Sequence, residues 1–343
     1  MAKITFKPKQ VTKTLLGALP ERAAEVLVSR YGLGKVTQKK TLESIGEKYG
    51  ITRERVRQIE NHALGSIRKS DTFEKAQATF DELEQYIDFL GGVVSEEEIL
   101  SSISKDKGTQ NHIHFLLVLG NPFIFKKEDS EFAPRWYIDE DLAENIQTAL
   151  RSLYTSLSDD ELVTESKLID AFLEEVKHLN EKYQREEILR RWLSLSKTVA
   201  KNPLGEWGQA TSSNVKAKGM RDFAYLAIKR HGSPMHFTEV AKMITELFSK
   251  KAHVATCHNE LIKDKRFVLV GRGLYALREW GYSSGVVKEV LRDILLKEGP
   301  LTRDELIDRI RKERYVKDNT ILVNLQDSKI FTRDNTCRYT LIG

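Results

Sequence analysis

The chain is poor in cysteine: Cys257 and Cys337 are its only two in 343 residues. Two cysteines cannot build a multi-disulfide framework, which excludes a secreted, stapled scaffold. It has no apolar run approaching the ~20 residues that span a bilayer. Its opening stretch, MAKITFKPKQVTK, lacks the apolar core of a signal peptide. Low-complexity tracts are absent as well. These absences predict a soluble cytoplasmic protein, with no membrane partner. Catalytic signatures are equally scarce. Gly32-Leu33-Gly34-Lys35 tempts a phosphate-loop reading, but position 29 is Ser where that loop needs Gly, and Val36 stands where Ser or Thr must follow the Lys. His253, Cys257 and His258 lie close together, yet zinc wants four ligands in separated pairs and no second pair exists. His112 and His114 alternate beside an apolar run and read as structural. No nucleophile elbow, metalloprotease motif or separated acid pair stands out. The expectation is a non-enzyme without cofactor, metal or small-molecule substrate.

What the chain has is core material and uneven charge. Hydrophobic residues make up 40% and charged residues 31%, which suits a folded protein, and the length argues for several domains. Formal net charge is +5. Residues 1–70 carry 15 Lys+Arg against 6 Asp+Glu, residues 71–214 carry 15 against 28, and residues 215–343 carry 25 against 16. Two basic ends, each +9, flank a middle of −13. Basic domains attract polyanions, chiefly nucleic acid. The acidic middle is repelled by DNA and suits a spacer or a basic protein surface.

Helical periodicity dominates, and joints are expected at Ser70–Thr72, Asp139–Asp141, Asn202–Asn214 and Gly281–Gly285. Beyond residue 70 a pattern repeats every ~70 residues. Each repeat has an amphipathic helix, a turn and a capped second helix, a third helical stretch, then a possible hairpin. Ser95 with Glu98, and Thr302 with Glu305, fit a capping box. The clearest hairpin is Phe267–Val270, Gly271-Arg272-Gly273, Leu274–Leu277. This is the winged-helix plan. The weakest repeat is 141–212, whose hairpin must come from Lys197–Ala210, with Pro203 inside it. The fold class expected is therefore mainly α with small β-hairpins: a helix-turn-helix over 1–72, then tandem winged-helix-like domains at 73–140, 141–212, 213–282 and 283–343.

The most specific signal lies at Leu15–Lys69. A helix starts at Pro20 and ends at Tyr31–Gly34. Thr41 caps a short helix that stops at Gly50, and Thr52 caps a third helix running from Arg53 to Lys69. On this last helix Val56, Ile59, Ala63 and Ile67 form the buried stripe. Arg53, Glu54, Arg57, Gln58 and Asn61 fall opposite it, near the N-terminus, where a recognition helix presents side chains to the major groove. Arg offers a fork to guanine, Gln pairs with adenine, and Glu accepts from cytosine. Lys39, Lys40, Arg55, Arg68 and Lys69 are placed to meet phosphates.

Leu19–Gly34 followed by Thr41–Lys69, and above all Thr-Arg-Glu-Arg-Val-Arg-Gln-Ile-Glu at 52–60, resemble region four of sigma-70-type RNA polymerase sigma factors. The resemblance covers about a fifth of the chain. It implies binding of double-stranded DNA at a promoter −35 element and contact with core RNA polymerase at the β-subunit flap. It makes Arg53, Glu54, Arg57 and Gln58 base-reading residues and sets Thr41 and Leu42 against phosphate, as a helix N-terminus suits an anion. Leu15, Leu16, Leu19 and Val28 become the flap-contact candidates. Nothing resembles the −10-reading and melting region of a sigma factor, and only about ten residues precede the match, so promoter opening by this chain alone is not expected.

Residues 219–281 resemble the HARE-HTH winged-helix family through Gly232-Ser233-Pro234, Phe237-Thr238-Glu239-Val240 and the string from Arg266 to Gly281. That resemblance implies contact with DNA or with polymerase. Arg272, at a wing tip, could enter a minor groove or meet a phosphate. Trp280 and Tyr275 read as core. Three functions follow: a −35-reading transcription protein first, a polymerase-binding delta-like protein second, and a non-catalytic module of a modification or restriction system third.

Overall fold

The computed structural model describes residues 4–282 and 285–342, and the chain forms two compact units, 1–200 and 201–343. Ser283 and Ser284, within the joint expected at Gly281–Gly285, lie outside the described residues.

The first unit opens with α1 (Pro8–Leu16) and α2 (Glu21–Tyr31). Pro20 stands at the N-cap of α2, where its missing N–H costs nothing. Then come α3 (Leu42–Tyr49) and α4 (Arg53–Arg68). Thr41 Oγ1 accepts from the Ser44 amide at 3.1 Å, and Thr52 Oγ1 from the Arg55 amide at 3.2 Å, so both helices start at their expected caps. Val26, Ile45 and Val56 make the small core of this helix-turn-helix, with Leu42, Tyr49, Ile51 and Ile59 packed against it.

A short α5 (Asp71–Lys75) leads into α6 (Gln77–Leu90), β1 (Val93–Ser95), α7 (Glu96–Ile103), α8 (Lys107–Leu119), β2 (Ile124–Lys126) and β3 (Arg135–Tyr137). The strands form an antiparallel sheet in the order β1-β3-β2, with Val94 and Phe125 both opposite Trp136. This is a winged-helix arrangement. It has no core of its own. Leu15, Leu27, Tyr31, Ala63, Leu64 and Ile67 from the first four helices are buried in one cluster with Phe80, Leu83, Ile113, Leu116 and Trp136. The apolar run of α8 packs against α1 and α2.

The unit continues through α9 (Glu140–Ser156), α10 (Glu165–Val176), α11 (Glu186–Leu193) and β4 (Val199–Lys201). Among the described residues no strand separates α9 from α10, which sets this repeat apart. Trp192 is fully buried and donates from its indole N–H to Gly91 O at 3.2 Å, tying α11 to the end of α6.

The second unit holds β5 (Trp207–Gln209) and then two winged helices. The strands β4 and β5 both fall in the stretch Lys197–Ala210 where the sequence places a hairpin. The first winged helix is α12 (Met220–His231), β6 (Met235–His236), α13 (Phe237–Phe248), α14 (Val254–Lys263), β7 (Phe267–Gly271) and β8 (Leu274–Leu277). The second is α15 (Val287–Glu298), β9 (Leu301–Thr302), α16 (Arg303–Glu313), α17 (Asp318–Leu325), β10 (Phe331–Arg333) and β11 (Arg338–Leu341). Their sheets run β6-β8-β7 and β9-β11-β10, so in each, as in the first unit, the strand following the first helix pairs with the last strand of the hairpin. The molecule is mainly α with small antiparallel sheets. No described helix is long and apolar enough to cross a membrane.

Candidate nucleic-acid interface

The helix α4 is built with two faces. Val56 closes the helix-turn-helix core, while Ala63, Leu64 and Ile67 enter the larger cluster shared with α6 and α8. Between them Glu60 is buried, accepting from the Tyr31 hydroxyl at 2.9 Å with Arg30 Nε at 3.5 Å. Burial, and then the negative charge of Glu60, push the Tyr31 hydroxyl pKa well above its ordinary value. This inward clamp leaves the other face free. Arg53, Glu54, Arg55, Arg57, Gln58, Asn61 and His62 are all exposed.

Two of the four base-reading candidates are joined. Arg57 donates from Nε and Nη2 to the two carboxylate oxygens of Glu54 at 2.8 and 2.7 Å. The Arg57 hydrogen bond holds the Glu54 carboxyl below its usual range, and the Arg57 pKa is raised in turn. Arg55 Nη1 donates to Gln58 Oε1 at 3.0 Å. Arg55 and Gln58 line a groove with Pro20, Arg22, Ile51 and His62.

Of the phosphate candidates, Lys39, Lys40, Thr41 and Lys69 are exposed. Thr41 and Leu42 mark the N-terminus of α3, with the Leu42 side chain tucked against the small core. Arg68 is committed elsewhere: its Nε and Nη2 donate to Leu119 O at 3.0 Å and Val118 O at 2.8 Å, fastening α4 to the end of α8. The flap candidates are divided too. Leu15 has no exposed surface and belongs to the shared core, whereas Leu16, Leu19 and Val28 are partly buried against it. The face carrying these three leucines and one valine is thus largely covered by the chain's own next segment, a tertiary contact that helical periodicity does not reveal.

Elsewhere, Arg272 is exposed at the tip between β7 and β8. A Cβ at Gly273 (φ +70°) would stand 2.5 Å from His236 Nε2, so the turn needs glycine. Behind the tip, Arg314 is buried and donates to Gly285 O at 2.8 Å, and the Tyr315 amide donates to Val270 O at 2.7 Å. Cys257 is buried, which pushes its thiol up to about 11, and His258 stacks on Phe237 with centroids 4.2 Å apart. Among the described residues no group of three His, Cys, Asp or Glu is placed to hold a metal. Sequence reading missed three residues that organise unit 1–200: Glu60, Arg135 and Asn111. Arg135 is 1% exposed and donates to Asp129, Gln147 and Ala133 O. Charge placed in the middle of an apolar stripe, as at Glu60, is the one signal that could have flagged the first.

Comparison with known proteins agrees with this geometry. Residues 15–69 match the family described as Sigma-70, region 4. The RNA polymerase principal sigma factor HrdD of Streptomyces viridifaciens is 44% identical over 66 residues, 19% of this chain and 20% of that protein. HrdD of Streptomyces coelicolor matches at 44% over the same shares. The RNA polymerase sigma factor RpoD of Neisseria gonorrhoeae is 39% identical over 72 residues, 21% of this chain and 11% of that protein. The chain therefore spans a fifth or less of the length of these relatives. In sequence, residues 15–69 are similar to the region 4 domain of sigma-70 factors, a DNA-binding helix-turn-helix of transcription.

Proposed function

We propose that this chain is a sequence-specific DNA-binding protein of transcription initiation that reads a −35-type promoter element through α4. Arg53, Glu54, Arg57 and Gln58 supply base contacts. Lys39, Lys40, Arg55, Lys69 and the α3 N-terminus at Thr41–Leu42 supply phosphate contacts, which set register and orientation. The observation that carries this reading is the exposed N-terminal face of α4, held outward by two capped helices and by a second face locked in the core. Arg68 and Leu15 serve the core instead. Contact with RNA polymerase is proposed through the partly exposed Leu16, Leu19 and Val28, with the β-subunit flap as the surface met. Arg272 is proposed as a wing contact. No catalytic step is involved.

The test is a fluorescence-anisotropy titration of the full chain against a consensus −35 duplex and a scrambled duplex, near physiological salt. A preference of at least ~10³-fold for the specific site is expected. Equal affinity would remove base reading by α4. Capture of the chain by core polymerase, reduced by Leu19→Arg, tests the second contact.

A second reading applies to 213–343. The third helices of both winged units carry little positive charge outward: α14 exposes Val254 and Ile262, and α17 exposes Val323. Each helix also exposes an asparagine, Asn259 and Asn319, but the single Lys or Arg on the two helices is Lys263, the last residue of α14, whereas an Arg or Lys fork to guanine is the commonest specific contact of a reading helix. This favours protein contact, as in the delta-like alternative, for these two units. Co-purification with core polymerase in the absence of DNA, lost on truncation after residue 200, is its expected signature.

A further inference from the structure

The link between α2 and α3 carries Lys35, Lys39 and Lys40, all exposed, and runs directly into Thr41, the cap of α3. It is held rigidly, and what holds it lies outside the segment similar to sigma factors. Asn111 on α8 donates from Nδ2 to Gly32 O at 3.0 Å and to Thr37 O at 2.7 Å. A Cβ at Gly32 (φ +65°) would stand 2.5 Å from Thr37 O and 2.7 Å from that same Nδ2, so only glycine fits the clamp. The Lys40 amide donates to Ser29 O at 3.0 Å, and Arg30 Nη1 to Lys40 O at 3.3 Å.

This clamp sets the link beside the turn into α8, where Lys105 and Lys107 are exposed. Lys39 lies close enough to Lys107 and Arg30 for their charges to act on it. Partial desolvation, opposed by Glu96 and reinforced by those two cations, holds the Lys39 ammonium below its ordinary pKa. The acids nearby are already engaged. Asp106 caps α8, accepting from the Thr109 amide at 2.9 Å, and pairs with Lys9 at 3.1 Å. Glu96 stands 3.0 Å from His114. The result is a cluster in which Lys39, Lys105 and Lys107 outnumber Glu96, the one acid whose charge reaches both Lys39 and Lys107. Two of these lysines, Lys105 and Lys107, stand in a stretch, 71–214, whose overall balance is −13. Gathering like charges is unfavourable unless a polyanion meets them.

We infer that Lys105 and Lys107, at the turn into α8, join Lys39 as a second phosphate-contacting surface that carries the bound duplex past the helix-turn-helix onto the following winged helix. The chain's contact with DNA is therefore longer than the region 4 domain. This rests on the proposed binding of duplex DNA, and it is independent of whether α4 reads bases.

The experiment compares the full chain with its K105Q/K107Q variant on the −35 duplex and the scrambled duplex, across a salt series. Lys177→Gln, which removes an exposed lysine just past the end of α10, controls for lost positive charge away from the cluster. Each phosphate contact adds about 0.9 to the salt slope, so the double variant loses about 2 in slope and roughly ten-fold in affinity on both duplexes, with the preference between them unchanged. Lys177→Gln leaves slope and affinity as they are. Wild-type slope and affinity in K105Q/K107Q, or an equal loss in Lys177→Gln, overturns the inference. Arg57→Ala, run in parallel, separates the two claims: it changes the preference between duplexes if α4 reads bases and leaves the lysine result standing either way. If the wild-type chain binds neither duplex, both claims fall. Both lysine side chains are exposed, and an unchanged melting curve for the double variant confirms that its fold is intact.

Discussion

Arg57 and Glu54 face water with 54% and 58% of their side-chain surfaces exposed. Exposed ion pairs contribute only ~0–1 kcal/mol, so this fork can leave its partner for the O6 and N7 of a guanine at little cost. Arg57→Ala is expected to cost about 1–3 kcal/mol of specific binding and to relax discrimination at one base position. Competition titrations over single-base variants of the site check this. Lys40→Ala is expected to weaken all duplexes alike and to reduce the salt slope by about 1. Inside the helix, Tyr31 couples stability to pH. Its hydroxyl pKa is raised in the folded chain, chiefly by burial and then by Glu60. The stabilisation is complete below the ordinary tyrosine value of about 10 and drains away as pH rises beyond it. Tyr31→Phe leaves Glu60 short of a donor, costing about 1–3 kcal/mol at neutral pH, and makes the decline above pH ~10 shallower. Denaturant titrations at neutral and alkaline pH read both effects.

At the scale of elements, α4 is a rod gripped at one end and offered at the other. Its cap sets where the offered end begins. Thr52→Ala removes the acceptor for the Arg55 amide and is expected to lower stability by about 1 kcal/mol. A lower melting temperature with the same fold at low temperature is the expected readout. The link before α3 depends on an element distant in sequence. Asn111→Ala strips a shared donor from the carbonyls of Gly32 and Thr37, for a loss of about 1–3 kcal/mol, with faster amide exchange confined to 32–41.

For the whole molecule, the arrangement of 1–200 is one of shared cores rather than beads on a string. Leu15, Leu27, Leu64 and Ile67 are buried against residues of 73–140. Fully burying one such side chain is worth about 1.5–3 kcal/mol, and a small domain has only ~5–15 kcal/mol in total. Residues 1–72 alone are therefore expected to lose cooperative unfolding, while residues 1–200 keep it. Circular-dichroism melts of the two fragments distinguish these outcomes.

Local rules determined much of this protein. Thr41 and Thr52 cap helices because their hydroxyls reach an amide three residues on, whatever surrounds them. The ~70-residue repeat set out four winged helices through caps, turn glycines and apolar spacing; the order helix, strand, helix, helix, hairpin appears in 73–140, 213–282 and 283–343, and is broken in 141–212, where no described strand separates α9 from α10. The exposed face of α4 was legible because its polar residues fall opposite a 3.6-residue apolar stripe. The short α1 and α5 were missed, being brief helices whose apolar residues find partners only in the tertiary fold. Periodicity states that a face is apolar but not what covers it. Leu15 and its neighbours read as a surface for another protein, and the tertiary structure turned that surface largely onto α8. Arg68 read as a phosphate contact, and two carbonyls some fifty residues away claimed it. Asn111 and Lys107 gave no local sign of serving the helix-turn-helix. Their roles depend on which distant segments meet, and packing free energy summed over the whole unit decides that, beyond the reach of any window of sequence.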